Sequence, residues 1–307
     1  MSNNLRLNDG DGSSYLNTEN INGVHLERVK LVQGADGVDG GNVSSSNPMQ
    51  VTDFWLEHAL RIIDDTYGVT ASVIEKKKDL FKFGRSSQVN STNYATLMTL
   101  PTGTLDETYE TGNTITHVSS SVDTDEGEMV VEGHTISGTD LTFVVQTVTL
   151  DGFVKTALTT PLARCTRLYN NTGTAWTGVV YAYEDVSATD GVPGTDAAVH
   201  CMIRAGQQQS EKASTSISSV DFWIITEMSS AVLTKTAAFA DVVLESRVVG
   251  KVFRPLALLA PASGTPDRLL LSPYIIVPPN SDIRMRALGS GNIDVSGTVR
   301  GTLAITQ

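Results

Sequence analysis

The stretch that most constrains this chain is its last, Asn292 to Thr306. Taken in twos, Ile293, Val295, Gly297, Val299, Gly301, Leu303 and Ile305 fall on one side. Asp294, Ser296, Thr298, Arg300, Thr302, Ala304 and Thr306 fall on the other. Successive side chains of a strand point to opposite faces, so this pattern predicts a long strand, apolar inward and polar outward. A helix would scatter the same residues around its circumference. Gly297 and Gly301 lie on the inward side, where a bulge or the close approach of another backbone is expected. A strand this regular reads as a closing or edge strand of an antiparallel β-sandwich, and the preceding chain must supply its partners.

The 307 residues suffice for two domains or one large β-domain. Charged residues make up 18%, below the usual share of about 25%. Serine and threonine carry much of the polarity, which suits the outer faces of strands. Aromatics are 6%, so the cores must be aliphatic. The net charge of −12 repels phosphate backbones and anionic membranes, so neither nucleic acid nor membrane is expected as a partner. The lysine run Lys76-Lys77-Lys78 is flanked by Glu75 and Asp79 and reads as a solvated linker face. No run approaches the roughly 20 apolar residues of a membrane span, and the first residues lack a signal-peptide pattern. A soluble protein made in a cytosol is expected. In that reducing setting Cys165 and Cys201 read as small buried hydrophobes, with a disulfide as the alternative.

Four regions follow in order. Residues 1–50 are rich in Asn, Gly, Asp and Ser, too polar to offset the cost of ordering alone. Within them Val24 to Val32 has the composition of a short strand. This region reads as an extended arm that orders on a neighbouring subunit by adding a strand to its sheet. Residues 51–82 read as a helix from Val51 to about Gly68, followed by a hinge through Lys76 to Lys82. Thr52 or Asp53 can cap that helix; Phe54, Trp55, Leu56, Ala59, Leu60, Ile62, Ile63 and Tyr67 form its apolar face; Gly68 ends it. Residues 83–190 and 191–307 then read as two β-sandwich domains, with strands about ten residues apart. Three turns are expected in the first: the acidic Asp123 to Gly127, Asp151-Gly152 as a hairpin, and Asn170 to Gly173 as another. The loop composition of Val186 to Thr195 marks the boundary.

The search for chemistry yields little. Asp9, Asp11 and Ser13 begin like a calcium loop, but Ser14 stands where glycine is required and no bidentate glutamate follows. Asp123, Asp125, Glu126 and Glu128 read as an exposed charged turn ahead of a cation site. His200 adjoins Cys201, and strand neighbours face opposite ways, so the two do not share a metal readily. His117 and His134 are expected on paired or nearby strands, packed as ordinary cross-strand neighbours and not as a zinc pair. No nucleophile elbow, P-loop, zinc-protease helix or dinucleotide fingerprint occurs in the sequence. The reading is no enzyme, no cofactor and no metal.

The order of these parts resembles a known family. Asn22 to Gly37, with Arg28-Val29-Lys30 followed by Gly34-Ala35-Asp36-Gly37, is similar to a leader segment of tailed-bacteriophage virion proteins. Phe83-Gly84-Arg85, Val148 to Gly152 and Arg164-Cys165-Thr166-Arg167-Leu168-Tyr169 are similar to the middle of such proteins. Val252-Phe253-Arg254-Pro255-Leu256 and Ile276 to Ala287 resemble their closing block. The helix at residues 52–68 is no part of that pattern. The resemblance implies an all-β virion structural protein, with two antiparallel, jelly-roll-like sandwiches, and it carries over no active-site residues. The leading expectation is a capsid decoration or cement protein, a homotrimer or similar ring bound to the major capsid protein of a virion assembled in a bacterial cytoplasm. Its assembly residues would be Val24, Leu26, Val29 and Leu31 of the arm and Phe54, Trp55 and Leu60 of the helix. The alternatives are a tail-fibre, baseplate or adaptor protein, and a receptor- or carbohydrate-binding module with Trp176, Tyr181 and Tyr183 along a glycan groove.

Overall fold

The computed structural model describes residues 4–7, 14–21, 24–28, 74–104 and 106–306. The chain forms two compact units, Met1–His58 and Ala59–Gln307. In the first, Asn4–Leu7 (β1), Ser14–Ile21 (β2) and Val24–Arg28 (β3) pair as an antiparallel meander. The strand expected around Val24 to Val32 is thus realised over Val24–Arg28, carrying Val24 and Leu26. The helix expected over residues 51–68, and with it Phe54, Trp55 and Leu60, lies outside the described residues, as do Val29 and Leu31.

Among the described residues of the second unit, the regular structure is strand apart from one 3-10 turn at Asp196–Ala198. In chain order it runs Ile74–Val89 (β4), Ala95–Thr96 (β5), Ile115–Ser120 (β6), Glu126–Ser137 (β7), Asp140–Asp151 (β8), Thr156–Leu162 (β9), Arg164–Asn170 (β10) and Val180–Glu184 (β11). There follow Ala188–Thr189 (β12), Val192–Pro193 (β13), Val199–Ile203 (β14), Ser214–Ile217 (β15), Asp221–Val232 (β16) and Ala240–Val248 (β17). Arg254–Leu259 (β18), Asp267–Val277 (β19), Ser281–Gly289 (β20) and Ile293–Thr306 (β21) complete it. Two pairs of facing sheets result. Sheets β10-β7-β8 and β14-β11-β6-β9 enclose one core, with Met129, Leu150, Leu162, Leu168 and Trp176 fully or almost fully buried. Sheets β15-β20-β17-β18 and β19-β16-β21-β4 enclose the other, around Leu97, Trp223, Met285, Val295 and Val299. Every ladder between these strands is antiparallel.

The sheets do not follow residue order. β4 and β5 pair with β21 and β20, near the other end of the sequence, while β14 pairs back onto β11. Residues 83–190 and 191–307 therefore exchange strands, and the first sandwich is an insertion within the second.

The final strand alternates as its sequence predicts: Ile293, Val295, Gly297, Val299, Gly301 and Leu303 are buried. The register with β4 slips between Leu303 and Ala304, which buries Ala304 and half exposes Ile305. A bulge shifts the faces of everything beyond it. β21 is not an edge: it lies between β16 and β4. Its glycines sit where neighbouring atoms approach closely. A Cβ at Gly301 would overlap the carbonyl of Ile224 on β16 and come 2.7 Å from Trp223 Nε1. One at Gly297 would reach 2.6 Å from Leu97 Cδ1. The residues expected as a hinge, Lys76 to Lys82, belong to β4, and with Phe83-Gly84-Arg85 they pair along β21, with the register slip at Lys77. A lysine run masks the strand because the inward row, Leu80, Lys82, Gly84 and Ser86, is mostly polar or small.

The three expected turns are corners between sheets and not hairpins. The acidic turn joins β6 to β7, Asp151-Gly152 joins β8 to β9, and Asn170 to Gly173 leads from β10 toward β11; in each case the two strands lie in facing sheets. Asp125 ties the corners together. Its buried carboxylate accepts from Ser120 Oγ (2.7 Å), Thr177 N (2.9 Å) and Gly178 N (2.7 Å). Burial opposes the charge, but these donors outweigh it and hold the pKa below the usual aspartate value. Asp125 is therefore a buried structural knot, while Asp123, Glu126 and Glu128 are exposed as the charged-turn reading expects. Asp190 and Gly191, in the segment read as a boundary loop, both adopt positive φ (48° and 70°) and close the β12–β13 hairpin. That hairpin covers the first sandwich, with Gly191 O accepting from Ser119 Oγ at 2.6 Å.

Candidate functional site at the seam and free edge

The two sandwiches meet through buried charge. Arg164 on β10 is 3% exposed and Asp282 on β20 is fully buried. The guanidinium donates twice to that carboxylate, at 2.9 and 3.2 Å, and once to Glu110 O at 2.6 Å. Asp282 also accepts from Ser216 Oγ and from Arg247 Nε. Such forked pairing is the strong form of the interaction and fixes orientation. Beside it, Arg284 and Arg286 share Glu245, and the Arg284 guanidinium lies 3.9 Å from the ring centre of Phe253. Of the residues that carry the closing-block resemblance, Phe253 stacks on Arg284, and Arg286 joins Arg284 through Glu245. Arg85 of Phe83-Gly84-Arg85 likewise pairs with Asp294 on β21.

Two lysines cross the same seam in different electrical circumstances. Lys212 Nζ donates to Glu107 Oε1 (2.5 Å), Cys165 O (2.6 Å) and His200 O (3.1 Å), so every ammonium donor has an acceptor. Burial works against its charge, but Glu107 together with the neighbouring Cys201 and Cys165 outweighs it, and the pKa stands above the ordinary lysine value. Lys82 is as deeply buried but donates only to Thr166 O, at 3.1 Å, among the described residues. Burial pulls its pKa down to about 8, with Glu132 pulling back and Lys212 pushing further. Lys82 and Lys212 line a cleft of about 400 Å³ together with Lys78, Arg167, Glu132 and Thr166.

No family model matches this chain, and neither does any curated protein. Two solved viral structures superpose on it loosely. The infectious bursal disease virus Gx strain is 9% identical over 77% of this chain and 73% of its own, with a TM-score of 0.21. The Gt strain is 10% identical over 76% and 72%, with a TM-score of 0.20. At such scores the likeness carries no weight for fold or function.

The second sandwich uses its long sides unequally. At one side, β15 packs on β8 and β10, and Lys82 of β4 reaches β10, so that side meets the first sandwich. The opposite side is formed by β18 and β19, the outermost strands of their sheets. Leu258 on β18 is 58% exposed, and Leu270 on β19 is 64% exposed, next to the partly exposed Leu269. Phe239, 61% exposed, bridges to Ala262 in the connection between those strands. Edge strands offer unpaired backbone groups to a partner, and leucines beside them add an apolar footing.

The sequence-predicted aromatics are elsewhere. Trp176 is buried in the first core, and Tyr181 and Tyr183 pack with Val179, Val199 and Met202 under the β12–β13 hairpin. The Tyr183 hydroxyl lies 3.0 Å from Ser119 Oγ, within hydrogen-bond distance. These three residues do not form an exposed glycan groove. His117 and His134 lie on β6 and β7, in facing sheets and not in one; His134 instead sits opposite Phe143, ring centres 5.3 Å apart. Cys165 and Cys201 are free and buried in the same core. His200 meets Glu184 and Glu110, not Cys201, in a group whose oxygen and nitrogen atoms could ligate a metal ion. The seam residues Lys82, Lys212, Glu107 and Asp282 escape sequence reading because only the fold brings them together. One signal was present: Lys82 occupies an inward slot of an alternating strand.

Proposed function

We propose that this chain is a structural protein of a virion, of the tailed-phage kind, that decorates or cements the shell. The observation that carries the reading is the leucine-bearing edge of β18 and β19, outermost in their sheets among the described residues, on a body whose opposite edge is already used internally. A rigid, seam-locked pair of jelly-roll-like sandwiches with one sticky side suits a building block. The resemblance of Asn22 to Gly37, of Val252 to Leu256 and of Ile276 to Ala287 to virion proteins supports the same reading. On it, residues 1–50 tie the protein to neighbouring subunits through Val24, Leu26, Val29 and Leu31, and Phe54, Trp55 and Leu60 add to the contact. The protein then acts by binding and performs no reaction.

The test is incorporation into particles. The double variant Leu258→Glu, Leu270→Glu should melt within about 2 °C of the wild type, since exposed positions contribute little to stability. It should fail to join particles, as should a chain lacking residues 1–50. Full incorporation of both would overturn the proposal. Copy number then separates shell from tail: on the order of hundreds per particle marks the shell, and a single ring marks a tail or adaptor position.

A further inference from the structure

Glu110, Glu184 and His200 converge from three separate elements. Glu110 belongs to the segment before β6, Glu184 ends β11, and His200 lies on β14. One ligand atom from each comes within 4.8 Å of the others. His200 is 2% exposed, and its Nε2 lies 2.9 Å from Glu184 Oε1. Both Glu110 and Glu184 remain partly open to solvent.

The backbone is irregular at this point. Opposite β14, Ala182 faces Cys201 and Tyr183 faces Val199, which leaves His200 as the extra residue of a bulge. On the other flank, Tyr183 faces His117 and Glu184 faces Ile115, leaving Thr116 over. Bulges redirect side chains and gather at functional sites. Two of the three residues are also clamped from behind by the seam. Arg164 holds the carbonyl of Glu110 at 2.6 Å, and Lys212 holds that of His200 at 3.1 Å. Thr114 Oγ1 approaches Glu184 Oε1 at 3.5 Å. The first two contacts fix the backbone that carries Glu110 and His200, and the third touches a ligand oxygen directly. The charge is left uneven as well. Among the described residues, no lysine or arginine lies within salt-bridge distance of either carboxylate, and His200 is the ionic partner of Glu184.

We propose that Glu110, Glu184 and His200 bind one divalent transition-metal ion of the zinc type, pinning the segment before β6 to β11 and β14. One imidazole nitrogen and two carboxylates form a three-ligand set that leaves a fourth tetrahedral position to water. The imidazole favours zinc-like ions over calcium and magnesium, which prefer all-oxygen surroundings.

The full chain, stripped with chelator and dialysed, is titrated calorimetrically with ZnCl₂ and separately with CaCl₂. Zinc should bind one to one and saturate, and calcium should not. Glu110→Gln and His200→Gln should each weaken zinc binding by roughly tenfold or more. Glu110 is partly exposed and outside the close Glu184–His200 pair, so Glu110→Gln keeps the fold and tests the site if His200→Gln unfolds. Cobalt(II) added to the stripped protein should give visible absorption bands that Glu110→Gln abolishes. Absence of saturable zinc binding would overturn the proposal. So would unchanged affinity in Glu110→Gln, which would place the ion on the acidic surface at large.

Discussion

His134 makes the stability of the first sandwich depend on pH. The ring is 3% exposed on β7, its Nδ1 lacks a hydrogen-bond partner among the described residues, and it packs edge-on against Phe143. Burial, with help from the nearby Lys82 charge, lowers its pKa to about 3. In the unfolded chain the ring titrates near 6.5. Between those values the unfolded state binds the proton and the folded state does not, so stability falls as the solution is acidified from pH 7. At pH 5 protonation multiplies the unfolded population by about 33, against about 1.3 at pH 7, with the native ring neutral throughout. The ratio of about 25 corresponds to about 1.9 kcal/mol lost. Differential scanning calorimetry should show the wild-type midpoint falling by roughly 4 °C more than that of His134→Gln over this interval. The other histidines are common to both proteins and cancel in the comparison. Equal losses in wild type and variant would refute the reasoning.

Three further outcomes are expected. Lys82→Met should raise the unfolding free energy at pH 7 by about 2 kcal/mol in urea titrations, because a buried ammonium with one acceptor gives way to an apolar side chain. Its folded pKa of about 8 lies below the unfolded value, so the advantage should fade as pH rises from about 8 toward 10.5. Gly301→Ala should cost at least about 3 kcal/mol, since its Cβ overlaps the backbone of β16, whereas Gly291→Ala, with open space around it, should melt like the wild type. Arg164→Ala strips a buried partner from Asp282 and should cost about 3–5 kcal/mol, splitting one calorimetric transition into two as the sandwiches uncouple.

What could be read from the sequence was whatever is local to a strand. The alternation of residues 293–303 predicts its own burial, and Gly301 predicts the close backbone of Ile224. The all-β class followed from the same periodicity. What could not be read was which strands pair. Asp151-Gly152 has the composition of a hairpin, yet a sandwich corner also needs a tight turn, and the residues at the bend are alike in both. Asp190-Gly191 does close a hairpin, hidden in a segment whose strands are two residues each. The lysines of β4 read as a hinge because their inward neighbours are provided by β21, more than two hundred residues on. The Glu110, Glu184 and His200 group was invisible for a similar reason: a bulge at His200 breaks the strict two-face rule that sequence reading relies on.

The ladder between β4 and β21 also sets an order of events during synthesis. Ile74 pairs with Thr306, so the outer sandwich cannot close until residue 306 has emerged from the ribosome. The inserted sandwich, complete by Ile203, has all its strands much earlier. A nascent chain therefore carries β4 and β5 unpartnered across the making of more than a hundred residues, an interval in which exposed strands invite wrong associations. The lysines along β4 that disguise it in the sequence are the charges that would keep it soluble while it waits.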